Sequence, residues 1–128
     1  VSIYEGVELG DYVFCGPSMV FTNVPRPRCR YPQRGSKFYL HTPVGEGASI
    51  GANATIVCGH RIGRNALIAA GSVVTKDVPD YAAVMGIPAR IHGWVCECGA
   101  ALGDNLCCPK CGRQYGRYKS GLKEIGTE

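Results

Sequence analysis

Four cysteines in the last third of the chain, Cys96, Cys98, Cys108 and Cys111, stand as CECG and CPKCG with nine residues between the pairs. Each pair is followed by a glycine, Gly99 or Gly112. Such tight turns aim backbone amides at thiolates, which a tetrahedral Zn2+ requires. The spacing reads as a zinc ribbon over residues 95–118, with CxC slightly tighter than the usual CxxC. Four thiolates leave no open position for water, so the expected metal is structural. Apolar residues in this segment are too few for an independent core, and metal binding is expected to supply its folding energy. Cys107 is a surplus thiol that stands as an alternative to Cys108, although Cys108 makes the better knuckle.

Other residues with chemical potential are more dispersed. Between Arg26 and Lys37 lie five cations, Arg26, Arg28, Arg30, Arg34 and Lys37, and no acid. That block is either a solvated loop or a site for phosphate and carboxylate groups. Lys110, Arg113, Arg117 and Lys119 beside Tyr115 and Tyr118 raise a nucleic-acid reading for the ribbon; it is the weaker one, because basic ribbons are common. Three histidines, His41, His60 and His92, complete the inventory.

These residues need a scaffold, and the segment Val44–Pro79 supplies it. It divides into six units of six residues, each opening on a branched aliphatic: Val44, Ile50, Ile56, Ile62, Ile68 and Val74. Glycine follows at Gly45, Gly51 and Gly63, and the fifth place is often small, as at Ala48, Ala54, Ala66 and Ser72. A period of six suits neither a helix nor an alternating hairpin. It suits a parallel β-helix of triangular section, where three units make one coil, the aliphatic fills the interior, and the small residue lets coils stack.

The opening segment carries the repeat in degraded form, with interior positions expected at Ile3, Leu9, Cys15 and Phe21. The chain therefore begins inside a coil, and either further coils or another subunit is expected to cover that end. Residues 23–43 break the period, and Pro25, Pro27, Pro32 and Pro43 exclude a long helix or central strand. A loop of this length is expected to project from one corner and serve a function. After Pro79 a turn leads to a final strand-like stretch ending near residue 94. Residues 119–128, KSGLKEIGTE, read as a polar, frayed tail. The fold class is all-β: a left-handed parallel β-helix over 1–94 with an extruded loop, then the ribbon.

Composition agrees with a single domain and a small appendage. The 128 residues carry a net charge of +4, and Gly at 18 reflects the repeat. There is no run of 18 apolar residues and no basic-then-apolar leader, so neither membrane spanning nor secretion is expected. Clustered cysteines then favour metal in a reducing cytoplasm over disulfides.

The repeats followed by VVTKDVPDYAAVMGIPAR resemble the left-handed β-helix acyltransferases that use acetyl-CoA. FTNVPRPR at 21–28, TPVGEGASIGANATIVCG at 42–59 and TKDVPDYA at 75–82 narrow the likeness. They are similar to sugar-nucleotide N-acetyltransferases acting on the 3-amino group of UDP-2-acetamido-3-amino-2,3-dideoxyglucuronate, and to relatives acting on dTDP-linked 3-amino sugars. The resemblance covers about residues 1–94. It implies a homotrimer with active sites between neighbouring β-helices, a nucleotide-sugar substrate and acetyl-CoA as cosubstrate. It places the cofactor contacts on Ala52, Ala70, Thr75, Lys76 and Arg90, of which Lys76 and Arg90 suit phosphate. Asn23 of the FTN motif stands where many relatives place a histidine base. Asparagine is no base near neutral pH, but its carbonyl orients an amine, and the resemblance gives Asn23 the catalytic role. O-acetylation, or a non-catalytic scaffold, remains the alternative. A carbonic anhydrase of this fold is excluded, since His41, His60 and His92 lack the close histidine pair its zinc needs.

Overall fold

The computed structural model describes residues 1–33, 35 and 39–127; Arg34 and Lys37 of the basic loop lie outside the described residues. Three faces of a parallel β-helix arise from strands of two or three residues. The first face is β1 (Val7–Leu9) beside β4 (Thr42–Val44), extended by single bridges from Val44 to Ile62 and from Ile62 to Val78. β2 (Phe14–Cys15), β5 (Ser49–Ile50) and β7 (Leu67–Ile68) build the second. β3 (Val20–Phe21), β6 (Thr55–Ile56) and β8 (Val73–Val74) build the third.

The register carries the hexapeptide period into three dimensions. Ser49 pairs with Leu67, and Thr55 with Val73, each 18 residues on. Every opening aliphatic from Val44 to Val74 therefore points inward, and Ile50, Ile56, Ile62 and Ile68 are completely buried. Ala48, Ala54, Ala66 and Ser72 are buried beneath the turns. The glycines have a separate steric reason. A Cβ on Gly51 would lie 2.5 Å from the Ala70 nitrogen of the next coil, and one on Gly45 2.7 Å from the Arg64 nitrogen. Close stacking thus depends on the second place of the unit as well as the fifth.

Across the first coil the pairing jumps to 35 residues, Phe14 with Ser49 and Val20 with Thr55, because the loop at 23–43 is spliced into one corner. Its ends meet where Leu40 N–H donates to the Asn23 carbonyl at 3.0 Å. The first coil forms the rim of the stack. Phe21 and Met19 are buried, Cys15 is half-buried, and the expected interior residues Ile3 and Leu9 stay 47% and 40% exposed.

The last coil departs from the expected period. Ile62 bridges Val78, and Leu67 pairs with Ala83, only 16 residues on. The interior residue after Val74 is therefore Val78, so the final unit is two residues shorter than the sequence period suggests. The chain then forms β9 (Ala82–Gly86) and turns back antiparallel as β10 (Ala89–Trp94), closing the second face.

Within the expected frayed tail, Gly121–Thr127 is a strand. β11 (Arg113–Tyr118) pairs antiparallel with β12 (Gly121–Thr127), and Leu122 is 1% exposed. The sequence signal was hidden because, among the described residues of KSGLKEIGT, only Gly121 and Leu122 are buried, with the remaining stability drawn from the ladder. Leu122 N–H donates to the Asp80 carbonyl at 3.3 Å, which docks the hairpin on the end of the β-helix.

Replacing Gly51 by Ala forces a methyl group into backbone and is expected to cost about 1–3 kcal/mol, the usual range for overpacking. Gly93→Ala meets nothing within 4 Å and serves as the control. Denaturant unfolding of the two variants checks the expectation; equal midpoints would refute the clearance argument.

Candidate functional site

Two places gather chemistry. The first is the cysteine knuckles. Gly99 and Gly112 take left-handed φ values of +97° and +80°, which lets each turn reverse directly after its cysteines. Gly99 N–H donates to the Cys96 carbonyl and Gly112 N–H to that of Cys108, while Cys111 N–H points at Cys108 Sγ at 3.5 Å. The sulfurs of Cys96, Cys98, Cys108 and Cys111 all lie within 4.8 Å of one another. Cys96 and Cys111 are 3.5 Å apart, and Cys98 and Cys108 3.6 Å. A tetrahedron with Zn–S bonds of about 2.3 Å has edges of about 3.8 Å, so the donor set fits a four-thiolate metal ion.

Electrostatics at the knuckles separates the thiols. Backbone N–H groups of Cys111 and Lys110, against desolvation, hold Cys108 down to about 6. At Cys98 a backbone hydrogen bond from Ala100 lowers the pKa, but desolvation and the sharing of protons with Cys96, Cys108 and Cys111 outweigh it, to about 11. Cys96 is lowered: burial opposes its charge, and hydrogen bonds from Tyr115 and the Cys98 backbone overcome it. A divalent cation held by all four as thiolates would resolve this competition.

Cys107 stands apart from the cluster. It bridges to Gln114 in the backbone, and its N–H donates to Asn105 Oδ1 at 3.1 Å. The small core behind the knuckles is assembled from Tyr81, Cys96, Cys108, Tyr115 and Leu122. Tyr115 is 3% exposed, so it offers no face for base stacking. Arg113 faces Glu97 and Glu124, each at 3.5 Å, and Arg117 lies over the Trp94 ring at 5.2 Å. Most residues behind the nucleic-acid reading are thus engaged within the fold.

The second place is the corner between the third and first faces. Cys58 N–H donates to Thr22 Oγ1 at 3.0 Å and Gly59 N–H to Thr42 Oγ1 at 3.1 Å. These bonds tie the two ends of the loop to the next coil, setting Asn23, His41 and His60 on one corner. Thr75 and Lys76 continue it on the coil above. His60 Nδ1 lies 3.7 Å from Asp77 Oδ1, whose same oxygen accepts Arg61 N–H at 2.8 Å. His41 Nε2 lies 3.5 Å from Glu8 Oε2. Lys76 and Arg90 line one cavity of about 320 Å3 over the last coil, with Val74, Val84 and Ile91.

Ala52 and Ala70 lie elsewhere. They stack on successive coils at the corner between the second and third faces, where Gly71 N–H donates to the Ala52 carbonyl at 2.9 Å. Within one chain the cofactor residues named from sequence thus form two groups, Ala52 with Ala70, and Thr75 with Lys76 and Arg90.

A family model described as the hexapeptide repeat of succinyl-transferase matches residues 42–76. Over 83 residues the chain is 52% identical to dTDP-3-amino-3,6-dideoxy-alpha-D-galactopyranose 3-N-acetyltransferase of Aneurinibacillus thermoaerophilus, covering 63% of this chain and 43% of that protein. The β-helix is thus similar in sequence to hexapeptide-repeat acetyltransferases. Its fold is shared with galactoside acetyltransferase in complex with coenzyme A, at TM-score 0.58 and 27% identity, covering 69% of this chain and 44% of that one. It is also shared with a histidine-to-asparagine variant of perosamine N-acetyltransferase from Caulobacter crescentus in complex with CoA and GDP-perosamine. There the TM-score is 0.54 and identity 28%, over 69% of this chain and 34% of that one. The chain spans less than half the length of these three relatives.

Within this hexapeptide-repeat fold, sequence reasoning missed Asp77 as the carboxylate at His60, and Tyr81, Arg113 and Tyr115 around the cysteines. The R-Q-Y alternation of Arg113 and Tyr115, which places both side chains on one face of a strand, was the available signal. Among the described residues no helix is long and apolar enough to cross a membrane.

Cys108→Ser is expected to abolish stoichiometric metal binding and to lower the near-ultraviolet circular dichroism from Tyr81, Tyr115 and Trp94. Cys107→Ser is expected to keep both. Metal content by atomic emission beside the spectra distinguishes them, and metal loss in the Cys107 variant would reassign the ligand.

Proposed function

We propose that the protein is an acetyl-CoA-dependent N-acetyltransferase for the amino group of a nucleotide-linked amino sugar, acting in the cytoplasm as a homotrimer on a cell-surface polysaccharide precursor. The 52% identity over 83 residues to a dTDP-amino-sugar N-acetyltransferase carries this reading. In it residues 1–94 perform the reaction and residues 95–118 form a zinc ribbon. The separation of Ala52 and Ala70 from Lys76 supports a shared site. Placing one corner of a β-helix beside a different corner of its neighbour would unite the two groups along one groove.

The reaction joins the sugar amine nitrogen to the acetyl carbon and breaks the carbon–sulfur bond, with the amine proton leaving and the sulfur departing as the thiol. Binding and orientation are what this chain's residues supply. Lys76 and Arg90, side by side at one cavity, hold phosphate oxygens of the cosubstrate. Backbone groups at Ala52, Ala70 and Thr75 hold its uncharged arm. The Asn23 side chain, fixed at the loop entrance by the bond between its own carbonyl and Leu40, orients the amine toward the thioester. Arg26, Arg28 and Arg30 on the loop meet the diphosphate of the sugar nucleotide. Cys96, Cys98, Cys108 and Cys111 would hold a zinc ion that joins the two knuckles, with four thiolates leaving no coordination position for chemistry.

A thiol-release assay with acetyl-CoA and a dTDP- or UDP-linked 3-amino sugar tests the reading. Turnover on the amino sugar, absent on the 3-hydroxy analogue, is expected. Transfer to the hydroxyl instead would establish O-acetylation, and a folded trimer that binds no acetyl-CoA would establish a scaffold. Asn23→Ala is expected to lower kcat with the trimer intact. Lys76→Ala and Arg90→Ala are each expected to raise KM for acetyl-CoA roughly 10-fold or more, as loss of a charge-assisted hydrogen bond worth about 1.5–3 kcal/mol implies.

A further inference from the structure

The sulfurs of the knuckles have hydrogen-bond partners beyond the backbone, and both come from one strand. Arg113 Nη1 donates to Cys111 Sγ at 3.3 Å. The Tyr115 hydroxyl lies 3.3 Å from Cys96 Sγ. The same hydroxyl oxygen accepts Glu97 N–H at 3.1 Å, which leaves its proton directed at the sulfur. Alternation along β11 puts both side chains on the face toward the cysteines. Cys108 N–H to the Arg113 carbonyl at 2.8 Å and Tyr115 N–H to the Leu106 carbonyl at 3.0 Å fix that strand against the second knuckle.

We propose that Arg113 and Tyr115 are positioning residues of the metal centre, Arg113 offsetting the excess negative charge of the four thiolates and Tyr115 aiming the Cys96 sulfur. This rests on the zinc assignment made above. A divalent ion with four thiolates carries two net negative charges, and although Cys98 and Cys111 are exposed, Cys96 and Cys108 are buried. Desolvating that charge is costly unless hydrogen-bond donors, and above all a cation, reach the sulfurs. Arg113 is held for this task from behind. Its Nε faces Glu97 Oε2 and Glu124 Oε1, each at 3.5 Å, which turns the Nη1 edge toward Cys111. Tyr115 is fixed by its ring, 4.8 Å from that of Tyr81 and tilted by 55°. Tyr81 follows directly on Asp80, where the hairpin docks, so the metal centre is braced against the β-helix itself.

The test uses the full chain loaded with Zn2+ and titrated with a chromophoric chelator, then the Co2+ form for its thiolate-to-metal charge-transfer band. Outer-shell partners typically change metal affinity by about 10–100-fold. Arg113→Gln and Tyr115→Phe are each expected to weaken Zn2+ binding within that range and to move the Co2+ band to lower energy, because a sulfur lone pair released from a donor lies higher. Arg113→Lys restores the charge without the fork and is expected to fall between. Wild-type affinity and an unmoved band in both Arg113→Gln and Tyr115→Phe, with one Zn2+ bound, would overturn the proposal and leave the zinc assignment standing. A wild-type chain that takes up no Zn2+ would overturn the assignment itself. If Arg113→Gln does not fold, Tyr115→Phe decides alone, since it keeps the ring packing.

Discussion

Everything in this molecule hangs on coils that stack at an 18-residue spacing. A strand of two residues cannot hold itself, and no single coil covers the apolar side chains it points inward. Stability comes from repeated pairing such as Ser49 with Leu67 and Thr55 with Val73, over an interior of Ile50, Ile56, Ile62 and Ile68. The spacing tolerates no slip, because glycines such as Gly51 sit against the backbone of the next coil. Chemistry is thereby confined to the corners, where the chain leaves the ladder. Residues far apart in sequence come into line there: Thr22 and Thr42 both reach the backbone at Cys58 and Gly59. The loop can vary without disturbing the stack, since its two ends are pinned to the same coil.

The end of the stack imposes a different demand. A β-helix that simply stopped would leave an apolar cross-section and unpaired strand edges. Here the final coil shortens, the Asp80 carboxylate gathers Arg61 Nη2 at 3.1 Å and Arg64 N–H at 2.8 Å, and its carbonyl receives the hairpin. Tyr81, the next residue, belongs to the core behind the cysteines. Two adjacent residues thus join two cores, and the ribbon is part of how the β-helix terminates. A core of five buried residues is too small to order 30 residues of loop and hairpin alone, where each costs about 1–2 kcal/mol of backbone entropy. The β-helix supplies part of what the segment lacks, and a metal held by the four cysteines would supply the rest.

Periodic features were legible in the sequence because a repeated local rule produces them. Six branched aliphatics at spacing six gave the interior, and two CxxC-like pairs ending in glycine gave the cluster. Features resting on single long-range contacts were not legible. The register at Val78 depends on where the Asp77–Asp80 turn finds its partners, Arg61 and Arg64, one coil away. Gly121–Thr127 looks frayed by composition, yet Gly121 lies against the Asp80 backbone and Leu122 fills a place that only the folded ribbon creates. Ile3 and Leu9 satisfy the repeat yet stand 47% and 40% exposed, which the period by itself does not reveal. At the candidate site, the family resemblance named Lys76 and Arg90, and the two line one cavity. The same period separates Lys76 from Ala52 and Ala70, which lie one 18-residue coil apart on one corner, and places it six residues past Ala70 at the next.

The basic residues can be sorted by what already faces them, and the sorting bears on which serve ligands. Arg61 is bound to Asp80, and Arg113 to Cys111 with two glutamates behind it; their charge is spent inside the fold. Lys76 and Arg90 share a cavity with one acid, Asp77, whose Oδ1 already faces Arg61 N–H and His60. A pair of cations at the rim of an apolar floor of Val74, Val84 and Ile91 suits a ligand that is charged at one end and apolar along its length. A cavity lined mainly by acids would repel such a ligand, and one whose cations were all paired would gain little from it. The same fold thus uses arginine as an internal counter-charge at the ribbon and leaves a lysine and an arginine to face outward where the β-helix ends.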